Sequence, residues 1–131
     1  MRYVVAIPIL VMLPVTICAA ADTSKLPALG VDFTFEQKNK CQGVSPEIRL
    51  NNVPAGVATY SVRMTDLDVP SFHHWSQTIP TTGSVIRAAA GTGYYGPCPP
   101  SGSHRYQIKV TALDKQKKPL ASGEKTVLAG R

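Results

Sequence analysis

Apolar and polar residues alternate with a period of two along much of this chain. The clearest run is residues 59–65, where Tyr60, Val62 and Met64 share one face and Ser61, Arg63 and Thr65 the other. A strand with one buried and one wet side carries this pattern, because successive side chains point to opposite faces of a sheet. Residues 104–113 repeat it, with Tyr106, Ile108, Val110 and Ala112 opposite Arg105, Gln107, Lys109 and Thr111. Phe33 and Phe35 alternate with Asp32, Thr34 and Glu36, and Ile48 and Leu50 with Glu47 and Arg49. Residues 75–79 and 125–128 are further short candidates. Turn residues punctuate these runs, notably Asn51-Asn52 and Pro54-Ala55-Gly56. Helical periodicity has one weak candidate, residues 85–90. The pattern predicts an all-β fold, a single antiparallel β-sandwich or barrel-like domain with few or no helices.

The first twenty-one residues break the alternation. Arg2 precedes an almost unbroken apolar run over residues 4–17, and Ala19-Ala20-Ala21 supplies small residues just before Asp22. This is the pattern of a cleaved export signal. The run is short for a bilayer span and is interrupted by Pro8 and Pro14. Ile17 stands before Cys18, where a lipidation signal wants a small residue. The expectation is a signal peptide over residues 1–21, a β domain over residues 22–131, and a periplasmic or secreted location. No other stretch is apolar enough to span a membrane.

Composition narrows the class. With 44% hydrophobic and 17% charged residues, the chain can bury a core, which argues against intrinsic disorder. The formal charge is +6, from 14 bases and 8 acids; without Arg2 it is 13 against 8, or +5. The bases are scattered, and only Lys115, Lys117 and Lys118 cluster, at an expected turn. With one Trp and no array of arginines and aromatics, nothing marks a nucleic-acid groove. Removing the signal also takes Cys18, so Cys41 and Cys98 remain as an even pair in an exported chain. A bridge between them would close a 58-residue loop, worth about 3–4 kcal/mol in the chain-entropy model. The alternative is two separate thiols.

Strand parity singles out two polar residues. Continuing the face of Tyr60, Val62 and Met64 by two reaches Asp66, and stepping back two from Tyr106 reaches His104. Both therefore sit at strand ends on the core-facing side. Burying an unpaired carboxylate costs several kcal/mol, so Asp66 needs a partner or a wet cavity. The plain structural reading is a strand-end Asp binding turn amides and a His satisfied in the core.

The surrounding motifs add a family resemblance. Thr65-Asp66-Leu67-Asp68-Val69-Pro70, followed by His73-His74-Trp75, resembles the Asp-Pro-Asp-Ala-Pro…His motif of the phosphatidylethanolamine-binding protein family, which includes Raf-kinase-inhibitor-like proteins. Gly93-Tyr94-Tyr95-Gly96-Pro97-Cys98-Pro99-Pro100, then His104-Arg105-Tyr106, is similar to its Gly-Tyr-x-Gly-Pro-Cys-Pro-Pro…His-Arg-Tyr segment. Cys41-Gln42-Gly43-Val44-Ser45-Pro46-Glu47-Ile48 is similar to an upstream motif of the bacterial branch. The resemblance implies a β-sandwich with a small pocket for phosphate-type anions and phospholipid headgroups. By position it assigns to the pocket Asp66, Asp68, Pro70, His74, Gly96, Pro99, Pro100, His104 and Tyr106. Imidazoles and a phenol can donate to phosphate oxygens, and Gly96 would leave backbone N–H groups approachable. Asp66 repels an anion unless a protonated imidazole or a ligand ammonium stands between them. His73, the neighbour of His74, is expected to face outward.

Two departures from the family pattern predict a reduced rim and a shallower pocket. Only twenty residues separate Trp75 from Gly96, and beyond Leu113 the chain runs to a final strand without the usual helical segment. The expected partner is a phosphate-bearing small molecule or phospholipid headgroup, with no cofactor, no metal and no catalysis. Two other classes compete. One is an inhibitor-like interaction protein with an unassigned protein target. The other is a hydrolase using Asp66, His74 and His104 as an acid–base or metal-binding set.

Overall fold

The computed structural model describes residues 25–131. The expected signal segment and its cleavage site lie outside the described residues. Seven strands form two antiparallel sheets. The small sheet has the order β1-β2-β5, from β1 (Gly30–Asp32), β2 (Ile48–Asn51) and β5 (Val85–Ile86). The large sheet has the order β4-β3-β6-β7, from β3 (Thr59–Asp66), β4 (His73–Pro80), β6 (Ser103–Leu113) and β7 (Pro119–Gly130). A 3-10 turn at Gln37–Asn39 is the only helical element among the described residues. None of their helices is long and apolar enough to cross a membrane.

The period-two faces become the core. Tyr60, Val62 and Met64 of β3 pack with Tyr106, Ile108, Val110 and Ala112 of β6, and all seven are buried. Trp75 and Ile79 of β4 and Ala121 of β7 extend that layer, while Ile48, Leu50 and Ile86 of the small sheet, with Leu29 and Phe33 flanking β1, complete the core. Each large side chain withdrawn from water contributes roughly 1.5–3 kcal/mol. Tyr60 keeps its hydroxyl satisfied by donating to the Gly83 carbonyl at 2.6 Å.

Two local expectations fail. The strand expected over Asp32, Phe33, Thr34, Phe35 and Glu36 pairs only through Asp32, opposite Arg49. The ladder ends there, although β2 itself continues back to Ile48, which pairs with Ile86 of β5 instead. The alternation nonetheless persists in burial, with Phe33 buried and Phe35 packed against the core. Residues 85–90 form no helix. Ile86 instead pairs with Ile48 as β5, and Ala89 adopts a left-handed φ of 61°. Six residues are too few to repay helix nucleation when one of them can complete a core.

Two candidate strands are longer than their apolar cores suggested. β4 starts at His73, and β7 runs for twelve residues, paired with β6 along almost its whole length. Gly123 lets the chain before β1 cross β7 closely, since a Cβ there would collide with the Leu29 carbonyl oxygen.

Candidate functional site

The site forms where β3 ends and β6 begins, because Asp66 pairs in register with Tyr106. Asp66 is 3% exposed. Its Oδ1 accepts the N–H groups of Asp68 (2.8 Å) and Val69 (3.0 Å), the local turn that a strand-end Asp favours. Its Oδ2 accepts the Nδ1–H of His104 at 2.7 Å. Burial alone would raise the Asp66 pKa. The His104 hydrogen bond and the two amides outweigh that and hold it below its ordinary value. The group is an anion at neutral pH.

His74 reaches the same place through a β-bulge. Met64 pairs with Trp75 and Thr65 with His73, so His74 is the extra residue on β4. The bulge turns both His74 and Trp75 inward and leaves His73 exposed. His74 Nδ1 lies 2.7 Å from the Tyr95 carbonyl oxygen, an acceptor only, so this nitrogen carries the proton. The Tyr95 N–H donates back to the His74 carbonyl at 2.8 Å. His74 Nε2 stands 3.9 Å from Asp66 Oδ2. Both imidazoles thus commit Nδ1–H to an acceptor and keep Nε2 for the cavity. When neutral, each Nε2 accepts; when protonated, each donates.

Tyr106 stands between them, 5.2 Å from the His74 ring and 6.3 Å from the His104 ring, centroid to centroid. Burial, then the charge of Asp66, pushes its phenol up to about 12, so it remains a hydroxyl donor throughout the neutral range.

These groups surround a cavity of about 200 Å³. Of the nine residues assigned from the motifs, Asp66, His74, Pro99, Pro100, His104 and Tyr106 line it. Asp68, Pro70 and Gly96 do not. Asp68 turns outward to Arg105, whose guanidinium and backbone N–H hold its carboxyl at about 2. Pro70 is exposed on the loop between β3 and β4. The Gly96 N–H is spent on the Cys41 carbonyl at 2.7 Å. Glycine is required at that position for another reason: a Cβ would collide with the Asn39 carbonyl oxygen.

Four lining residues escaped sequence reasoning: Val69, Phe72, Tyr95 and Cys98. Phe72 shares its parity with His74, a signal that was available, and its ring lies 4.7 Å from that imidazole. The other three show themselves only once the loops are folded. Cys98 forms a disulfide with Cys41, with a Cα–Cα distance of 4.8 Å. The bridge ties the cavity wall to the loop after the 3-10 turn, reinforced by the Cys41 N–H donating to the Pro97 carbonyl at 3.1 Å.

A larger hollow of about 410 Å³, lined in part by Asp32, Glu36, Glu47 and Arg49, lies elsewhere. Its carboxylates are already paired, Asp32 with Lys125 (2.6 Å), Glu36 with Lys38 (2.8 Å) and Glu47 with Arg49 (3.0 Å). The Nε2 atoms left uncommitted on His74 and His104 belong to the smaller cavity. Among the described residues, no three His, Cys, Asp or Glu side chains are grouped to hold a metal ion.

Two antiparallel sheets, with a small His/Asp/Tyr cavity at one end of the larger one, define the class to which the chain belongs. The model of the phosphatidylethanolamine-binding protein family matches residues 16–129, and the chain belongs to that family. Among its relatives, UPF0098 protein YbcL of Escherichia coli K12 is 30% identical over 118 residues, covering 69% of this chain and 64% of its own. A UPF0098 protein of Aquifex aeolicus is 35% identical over 107 residues, covering 63% of each chain. The chain thus spans slightly under two thirds of the length of these relatives. A UPF0098 protein of Chlamydia pneumoniae is 32% identical over 110 residues, covering 67% of this chain and 73% of its own. The crystal structure of YbcL, described as a member of the mammalian PEBP family, superposes with a TM-score of 0.60 at 21% identity, covering 79% of this chain and 98% of that one. A phosphatidylethanolamine-binding protein homologue from Chlamydia trachomatis gives 0.62 at 21% identity over the same shares. At that identity these two structures speak for the fold alone.

Proposed function

We propose that the protein is an exported binding protein whose cavity takes phosphate-bearing polar ligands of the phospholipid-headgroup type, without turning them over. One observation carries the reading: two imidazole Nε2 atoms and a protonated phenol converge on a cavity beside a buried carboxylate. With its imidazoles neutral, this set offers one donor and a negative charge, which opposes an anion. A phosphate centred about 5 Å from Asp66 would meet roughly 3 kcal/mol of repulsion at an effective dielectric constant of about 20. One imidazolium at a similar distance offsets that, and the ammonium of a zwitterionic headgroup does the same. Binding of an anion that brings no cation of its own is therefore coupled to proton uptake.

A binding role is favoured over catalysis because the lining holds no serine or threonine and its cysteine is in a disulfide. Export is supported by the apolar run over residues 4–17 and by a disulfide, which persists in oxidising compartments.

Titration calorimetry with phosphoethanolamine and with inorganic phosphate tests the reading. The expected result is saturable binding that strengthens between about pH 7.5 and about pH 6, where imidazoles change charge, with no ligand hydrolysed. Affinity that rises with pH would refute it, and release of free phosphate from phosphoethanolamine would favour the hydrolase instead.

A further inference from the structure

The β3–β6 ladder does not stop cleanly at Asp66. One rung further, the Leu67 N–H still donates to the Arg105 carbonyl at 2.8 Å. The Arg105 N–H donates to Asp68 Oδ2 at 2.7 Å, so a side-chain carboxylate closes the ladder. The guanidinium of the same arginine returns to that carboxylate, Nη2 to Oδ1 at 2.8 Å and Nε to the two oxygens at 3.3 and 3.4 Å. One residue thus grips one carboxylate with both its backbone and its side chain.

This grip lies next to both halves of the acid–imidazole pair. Adjacent residues on a strand face opposite ways, so Arg105 held outside the sheet fixes His104 inside it. Asp68 and Val69 supply the two N–H groups that hold Asp66 Oδ1, so fixing Asp68 also fixes the Asp66 carboxylate. Exposed ion pairs are commonly worth little because two mobile side chains must be ordered. Here the backbone bond removes much of that freedom, and the fork sets an angle as well as a distance.

We infer that Asp68 and Arg105 are positioning residues of the cavity, a clamp on the outer face of the large sheet that orients Asp66 and His104 on the inner face. The clamp holds His104 with Nδ1–H on Asp66 and Nε2 towards the cavity. Neither side chain of the clamp touches the ligand.

The test follows the His104 ring by nitrogen-15 NMR in the full chain, alongside phosphoethanolamine titration. In the wild type the ring is expected to be protonated at Nδ1, with that proton exchanging slowly with water because Asp66 Oδ2 accepts it at 2.7 Å. Asp68→Asn and Arg105→Gln are each expected to speed the exchange at least about tenfold and to mix the two tautomers. Arg105→Lys, which keeps the charge without the fork, recovers only part. Phosphoethanolamine affinity falls roughly three- to tenfold in the first two variants, the scale of a forked but partly exposed pair. The affinity arm rests on the function proposed above; the ring signals do not. A wild type that binds no phosphoethanolamine overturns that function, and the ring signals still decide the clamp. Folded Asp68→Asn and Arg105→Lys proteins with an unchanged tautomer and exchange rate overturn the clamp, even if their melting temperatures fall.

Discussion

Replacing Asp66 with Asn separates two roles of the buried carboxylate and moves them in opposite directions. Asn keeps an oxygen for the amides of Asp68 and Val69, which lie 2.8 and 3.0 Å from Oδ1. Its NH2 group then faces the Nδ1–H of His104, donor against donor, where the wild type has a 2.7 Å hydrogen bond to a carboxylate. Losing a charge-assisted bond of this kind costs about 1.5–3 kcal/mol. For a domain of this size, that lowers the melting temperature by roughly 5–20 °C. The effect has a defined pH window. The folded-state pKa of Asp66 is depressed, so the carboxylate stabilises the fold above its unfolded value of about 3.9 and loses that contribution as pH falls through the folded value. The wild type and Asp66→Asn should therefore differ at pH 7 and converge in strong acid. Ligand affinity moves the other way. Of the roughly 3 kcal/mol of repulsion between Asp66 and a nearby phosphate, relief of even a third raises affinity for inorganic phosphate roughly sixfold. Thermal melts between pH 2 and 8 and phosphate titrations at about pH 8 measure both. A melting temperature that is unchanged at pH 7, or phosphate binding weakened in a folded variant, would refute this account of the carboxylate.

Further outcomes follow from particular contacts. The oxidised protein should show no reactive thiol at Cys41 or Cys98 in a native labelling assay, and reduction should cost about 3–4 kcal/mol in denaturant unfolding. Gly96→Ala should destabilise by about 1–3 kcal/mol or more, because its methyl group meets the Asn39 carbonyl; a variant as stable as wild type in urea would show that the loop yields. The intact mass of exported protein should correspond to a start at Asp22 or Ala21, and a lipid-modified Cys18 would show a different processing route.

Period-two alternation carried most of the fold into the sequence. Residues 59–65 and 104–113 became the central pair of the large sheet, and their parity alone put Asp66 and His104 at one end of it. Strand limits were less legible, because pairing depends on what lies opposite: β1 stops at Asp32 although the alternation runs on, and the crossing at Leu29 needs Gly123. Parity also could not tell which way His74 turns, since a bulge shifts the period by one residue. The motifs listed Asp68 and Gly96 beside residues that line the cavity. Their constraint comes from an outward ion pair and a backbone crossing, which a linear pattern does not distinguish from contact with a ligand. Tyr95 and Cys98 come from the loop before β6, and only its folding against His74 and Tyr106 makes them part of the cavity wall.

Mapping amide and imidazole NMR shifts during titration with phosphoethanolamine tests the location of the ligand most directly. The account predicts that the largest changes cluster at Asp66, His74, Tyr95, His104 and Tyr106, that the ring signals of both histidines shift as the ligand binds, and that His104→Ala abolishes the cluster while leaving the fold intact. Saturable shifts centred on Asp32, Glu47 and Arg49, with the His74 and His104 rings unmoved, would contradict it.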